Sequence, residues 1–265
     1  MPPRELELDG GRIVVHLWEN DAARYIALIA HGYGEHARRY DHVAERLLAD
    51  GAVVYAPDHQ GHGRSQGERA LVADTEQLSS DLELVQELAR GQHPGLPVVL
   101  IGHSMGGLIA THFAQTRGEH LSALVLSGPA IGANPAIEML IGMDPLPDVP
   151  IDPQVLSRDP QVVRAYAKDP LVYHGPFKRE TLQSFGRALE QIAAGGPLGP
   201  YPVLWIHGAE DQLVPIEGTR QAIEALRGDR FEQRVYEGAR HEIFNETNRD
   251  EVIDDVVAFI GRALG

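Results

Sequence analysis

The 265 residues contain no cysteine. A thiolate nucleophile, a disulfide framework and any cysteine-ligated zinc or iron–sulfur centre are thereby excluded, while the redox compartment stays open. Positive charge is also scarce: 23 Lys and Arg against 38 Asp and Glu leave a formal net charge of −15. A field of that sign repels phosphate backbones and anionic head groups, so nucleic acid is not an expected partner. Long apolar runs are missing too. None approaches the ~20 residues a membrane-spanning helix needs, and Met1-Pro-Pro-Arg-Glu-Leu-Glu-Leu-Asp9 has no apolar core of signal-peptide length. The expectation is a soluble, cytoplasmic protein, large enough to bury one substantial core.

What is present is alternation. Short β-branched runs at Ile13 to Trp18, Tyr25 to Ala30, Ala52 to Pro57, Val98 to Gly102, Ala123 to Ser127, Val203 to His207 and Glu232 to Tyr236, with another near Leu6, read as strands. Between them, Arg39 to Asp50, Glu76 to Gly91, Met105 to Thr116, Glu217 to Leu226 and Asp250 to Leu264 carry apolar residues at helical spacing. That order predicts an α/β fold with a mostly parallel sheet covered by helices on both faces. The alternation fails between 129 and 200, a proline-rich stretch that reads as an insertion, with 1–128 and 201–265 forming the core. Helix-spaced apolar residues from Val162 to Val172 give the insertion some structure of its own.

The strand Val98 to Gly102 leads into Gly102-His-Ser-Met-Gly106 and then a helical stretch. This is G-x-S-x-G in a strand-turn-helix setting, where small residues two positions either side of the serine let strand and helix pass closely. Ser104 is thereby lifted clear of the sheet as a candidate nucleophile, and the amide of Met105 opens the following helix, where an oxyanion would form. Such a serine needs an acid and a histidine in later strand-end loops. Asp211 follows the strand Val203 to His207, and His241 follows Glu232 to Tyr236. Glu210 is the rival for the acid, one residue nearer the strand. His241 would take and return the Ser104 proton, and Asp211 would orient its imidazole. That chemistry calls for no metal and no organic cofactor.

His31-Gly-Tyr-Gly-Glu-His36, followed by Arg39-Tyr40, offers three readings: a metal site through His31, Glu35 and His36, a phosphate cradle, or a loop serving a nucleophile elsewhere. The triad favours the third, with the glycines bringing the Tyr33 amide beside Ser104. Asp58-His-Gln-Gly-His-Gly-Arg-Ser65 reads as a turn in which Asp58 and Ser65 satisfy backbone groups, rather than as a metal site of His59 and His62. His103 is expected to pack beneath the site.

Together these pieces resemble the α/β-hydrolases, and more narrowly the monoacylglycerol lipases (monoglyceride lipases) of bacterial type. H-G-x-G-E-H with a following R-Y carries the narrower resemblance. The resemblance implies the α/β-hydrolase fold, an eight-stranded, mostly parallel sheet with a cap inserted at 129–200, and hydrolysis of monoacylglycerols to glycerol and fatty acid. It also implies an oxyanion hole from the amides of Tyr33 and Met105. Glu35 and Arg39 are then candidates for holding that loop or for reading glycerol hydroxyls, with Glu35 and His36 bracing the loop at least as often as they touch substrate, and Glu242 is a further candidate for holding substrate. Phe244 stands where mammalian members have a second histidine that reads glycerol hydroxyls. Two alternatives remain beside this reading: a broader carboxylesterase or lysophospholipase, and a ligand-sensing protein with slow turnover. The stretch Ile137 to Met143 is a candidate for peripheral contact with lipid.

Overall fold

In the computed structural model, which describes residues 2–265, the strands are β1 (Arg4–Leu8), β2 (Ile13–Trp18), β3 (Tyr25–Ala30), β4 (Ala52–Asp58), β5 (Val98–His103), β6 (Leu121–Ser127), β7 (Val203–Gly208) and β8 (Phe231–Tyr236). They form one sheet in the order β1-β2-β4-β3-β5-β6-β7-β8. β2 runs antiparallel to β1 and β4, and the remaining pairs are parallel. The helices are α1 (Asp41–Ala49), α2 (Thr75–Gln92), α3 (Met105–Arg117), α4 (Pro135–Ile141), α5 (Pro160–Lys168), α6 (Arg179–Ala194), α7 (Ile216–Leu226) and α8 (Arg249–Leu264).

The central strands are continuous apolar runs because both their faces are covered. Ile26, Leu28, Leu100, Leu124, Leu126 and Trp205 face one layer with α2, α3, α6 and α7, while Ala27, Ile29, Val99, Ile101, Val125 and Ile206 face α1 and α8. The period-2 alternation of side chains thus splits each strand between two cores. Each fully buried Leu, Ile or Val stabilises the fold by roughly 1.5–3 kcal/mol.

Most element ends fall within two residues of the sequence reading, and two of the differences have a visible cause. The helix expected from Arg39 begins at Asp41, and Ala37–Tyr40 forms a 3-10 turn. Arg39 and Tyr40 are drawn to Glu35 and so leave the regular helical path. The apolar spacing of Val162 to Val172 yields a helix only over Pro160–Lys168. Pro170 disfavours helical backbone at Asp169, which bonds His36 instead. Asp159 caps that helix by accepting from Gln161 N, ahead of Pro160 in the first turn. The turn after β4 is built as expected: Asp58 accepts from the backbone N–H of Ala37 and of Arg64, each at 2.8 Å, and Ser65 accepts from Val14 N at 2.8 Å.

Between β6 and β7, α6 packs Phe185, Ala188 and Ile192 into the same core as α2 and α3. Leu156, Tyr166 and Val172 form a small separate cluster. This segment is tied to the strand-end loops by Tyr173 N donating to Gly34 O at 2.7 Å, Glu242 N donating to Leu156 O at 2.8 Å, and the His36–Asp169 contact at 2.9 Å.

Candidate active site

Ser104 occupies the turn between β5 and α3 with φ 55° and ψ −117°, a left-handed conformation that costs a non-glycine residue energy. The flanking glycines show why the turn exists. A Cβ on Gly106 would lie 2.0 Å from Ala30 O, and one on Gly102 would lie 2.3 Å from Gly106 O. Ser104 is held there by its own backbone: its N–H donates to Ser127 O, and its carbonyl accepts from Leu108 N and Ala130 N, each at 3.0 Å.

The three strand-end loops converge. Ser104 Oγ is 2.8 Å from His241 Nε2, and His241 Nδ1 is 2.7 Å from Asp211 Oδ2. Asp211 Oδ1 accepts from Leu213 N at 2.9 Å and Val214 N at 2.8 Å, so its orientation is fixed by backbone. Glu210, the rival acid, is exposed. Burial pushes the Asp211 carboxyl up, but His241 and His207 together hold it well below the usual carboxylate range. Burial likewise opposes a charged His241, and Asp211 reverses the effect, raising the imidazole above its ordinary 6.5. A hydroxyl, a base of raised proton affinity and an ionised acid thus stand in line, the arrangement for proton transfer during nucleophilic attack.

Ser104 and His241 face a cavity that opens to the surface. Tyr33 and Met105 both line it beside Ser104. Most of the remaining wall is apolar, including Ile131, Ile137, Leu156, Phe177, Phe185 and Leu189. The Tyr33 ring stacks on Phe177 at 4.8 Å between centroids, which fixes the loop carrying its amide. The ionisable carboxylates and imidazoles on the wall are Glu35, Glu242, His103 and His241; among the described residues no Lys or Arg lines it.

Glu35 and Glu242 are bound to each other through Arg39. Arg39 Nη1 donates to Glu35 Oε2 at 2.7 Å, and its two terminal nitrogens donate to Glu242 at 2.5 and 2.6 Å. Glu35 Oε1 also accepts from Gly32 N at 2.6 Å and from Tyr40 Oη at 2.7 Å. The point a Cβ on Gly32 would occupy is 2.9 Å from Glu35 Oε1 and 3.2 Å from Ser104 Cβ, so this network adjoins Ser104. Arg39 sits behind the carboxylates, covered by the Tyr166 ring at 4.9 Å.

The histidines of the first loop do not converge. His31 Nδ1 donates to Gly32 O and its Nε2 accepts from His59 N, while His36 turns to Asp169. His103 packs 4.8 Å from His241, centroid to centroid, and bonds Ser127 Oγ at 3.0 Å; burial pushes it down to about 3, so it stays neutral. Phe244 is buried in the core on the α8 side.

Sequence reasoning missed Tyr40 as a donor to Glu35, Tyr166 over Arg39, and Trp205 and His207 behind Asp211. The last two had a local signal, since residues 205 and 207 share a strand face and lead directly into the acid loop. Tyr166 had none.

The family model for serine aminopeptidase, S33, matches residues 21–248. A monoacylglycerol lipase of Mycolicibacterium smegmatis is 39% identical over 95% of this chain and 93% of its own. The human monoglyceride lipase is 32% identical over 92% of this chain and 84% of its own. Among solved structures, a monoacylglycerol lipase of Paleococcus ferrophilus superposes with a TM-score of 0.82 at 28% identity, covering 95% of this chain and 99% of that one. With its Ser104 elbow, its sheet order and these likenesses, the chain belongs to the serine aminopeptidase S33 family of α/β-hydrolases and, within it, to the monoacylglycerol lipases, which are carboxylic ester hydrolases.

Proposed function

We propose that the chain hydrolyses monoacylglycerols to glycerol and fatty acid, with Ser104, His241 and Asp211 as its catalytic residues. The observation that carries this reading is the Ser104–His241–Asp211 line of contacts at 2.8 and 2.7 Å, set at the wall of an apolar cavity with one polar end. Ser104 Oγ attacks the ester carbonyl carbon while its proton passes to His241 Nε2. The amides of Tyr33 and Met105 hold the resulting oxyanion. Collapse breaks the bond to the alcohol oxygen, which leaves with the His241 proton, and an acyl-Ser104 remains. Water then attacks with His241 again as base, freeing the fatty acid and restoring the serine.

The apolar wall suits an acyl chain. The other end supports a neutral head group: Glu35 and Glu242 share one guanidinium, and no lining cation is present to receive a phosphate. That balance favours a glycerol ester over a lysophospholipid. Glu35 would brace the Tyr33 loop, and Arg39 would tie it to Glu242, which would face the alcohol of the substrate. Residues 129–200 would act as the cap. On it, Met139 (59% exposed), Ile141 (38%) and Val149 (62%) present apolar surface near Ile137 and Ile151 of the cavity wall. We assign peripheral contact with lipid aggregates to this surface. Among the described residues no helix is long and apolar enough to cross a membrane.

The test is an ester panel: a monoacylglycerol, a triacylglycerol, a lysophospholipid and short p-nitrophenyl esters, assayed with the natural chain and Ser104→Ala. Preference for the monoacylglycerol, abolished in the variant, is the expected result. Unchanged glycerol release by Ser104→Ala sinks the mechanism, and preference for another ester sinks the substrate.

A further inference from the structure

Trp205 and His207 lie on one face of β7, two residues apart, and the strand ends directly before the loop that carries Asp211. The Trp205 indole, which can only donate, gives its Nε1–H to His207 Nδ1 at 3.2 Å. His207 Nδ1 is therefore an acceptor, and the ring proton sits on Nε2. That nitrogen donates to Val214 O at 2.9 Å and stands 3.2 Å from Asp211 Oδ2. Asp211 Oδ2 is also the atom that receives His241 Nδ1 at 2.7 Å. Trp205, His207 and Asp211 are all enclosed: Trp205 is 0% exposed, and the side chains of the other two are likewise 0% exposed.

We propose that Trp205 and His207 are positioning residues of the reaction, holding the Asp211 carboxylate for His241 through an indole-fixed, single-proton form of His207. The proposal rests on the reading of Ser104, His241 and Asp211 as the catalytic set. The indole N–H thus fixes the His207 ring so that its Nε2 edge faces Val214 O and the carboxylate that must stabilise charge on His241. The charged and titratable groups around His207 are Asp211, His241 beyond it, and, on the far side of the indole, the Arg220 guanidinium of α7 at 5.5 Å from the Trp205 ring. Its neighbour in β8, Val235, is apolar.

The test uses the full chain with His207→Leu, His207→Gln, Trp205→Phe and the double variant Trp205→Phe/His207→Gln. Each is assayed for kcat, KM, thermal melting and the pH profile of kcat/KM on a monoacylglycerol. Glutamine can accept from the indole and donate to Asp211 but does not titrate. His207→Leu is expected to lose roughly 10- to 100-fold in kcat with KM changed less than about threefold, and His207→Gln to recover most of that loss. Trp205→Phe should lose part of the same kcat with KM nearly unchanged, because the indole N–H no longer fixes the His207 ring, and the double variant should lose no more than Trp205→Phe alone. If His207→Leu keeps full kcat and shows only a lower melting temperature, or if His207→Gln falls as far as His207→Leu, the proposal is overturned. Ser104→Ala separates the two failures: its inactivity alongside unchanged positioning variants overturns this inference alone, whereas its full activity removes the catalytic reading beneath it.

Discussion

Glu35 accepts a hydrogen bond from the backbone N–H of Gly32 at 2.6 Å, one residue before Tyr33 in the loop. The sequence offered this carboxylate both as a brace of the loop and as a reader of substrate, and the contact favours the brace beside Ser104. Its remaining acceptor capacity goes to Tyr40 and Arg39. A group held by three protein donors has little left for a glycerol hydroxyl, and its main effect is to set where the Tyr33 amide points.

Glu35→Gln should accordingly lower kcat by roughly 10- to 100-fold on every ester in the panel, since a loop displaced by a fraction of an ångström misplaces an oxyanion donor. Steady-state rates on glyceryl and p-nitrophenyl esters check this. A loss confined to KM on glyceryl esters would return Glu35 to head-group reading.

Arg39→Met should destabilise the fold by about 3–5 kcal/mol, because Glu35 and Glu242, 3% and 4% exposed, would be left buried without their shared cation. Urea unfolding measures it. The double replacement with Glu35→Gln and Glu242→Gln should recover much of that loss, and no recovery would count against the charge argument.

The acid limb of kcat/KM should lie above the pH at which a free imidazole titrates. His241 must be neutral to accept the Ser104 proton, and Asp211 raises its proton affinity despite burial. Activity therefore falls as pH drops through that raised value, and a pH–rate profile on a soluble ester locates it.

Stability should fall as pH is lowered from about 6.5 toward 4. Burial pushes His59, His62 and His103 down to about 3, about 4 and about 3, so the folded chain refuses protons that the unfolded chain binds below its ordinary histidine value. Burial holds His31, His42 and His112 down as well, whereas the raised His241 works the other way, favouring the fold below 6.5, and is one group against six. Melting temperatures at pH 7 and pH 5 test the sign, and a higher value at pH 5 would refute it.

Met139→Ser combined with Ile141→Ser should slow hydrolysis of aggregated monoacylglycerol by several-fold, on the order of 1 kcal/mol per exposed side chain removed from a lipid contact, and leave a short soluble ester unaffected. Vesicle co-sedimentation should fall in parallel. Equal rates on both substrate forms would assign this surface to packing within the segment after β6.

The alternation of short apolar runs with helix-spaced stretches was enough to place the sheet, and Gly102-His-Ser-Met-Gly106 with Asp211 and His241 in later loops was enough to single out three side chains that the fold brings within 2.8 and 2.7 Å of one another. Both depend on short-range physics: a strand repeats every two residues, a helix every 3.6, and a serine in a left-handed turn needs small neighbours wherever it occurs. The turn at Asp58 was legible for the same reason. Only the tertiary structure decided that Glu35 and Glu242, 207 positions apart, share the Arg39 guanidinium, that Tyr166 covers it, that Phe177 stacks on Tyr33, and that His36 leaves its own loop for Asp169. Those pairings depend on which strand-end loops the sheet order brings side by side and on how the segment after β6 folds back over them, and no local spacing encodes either.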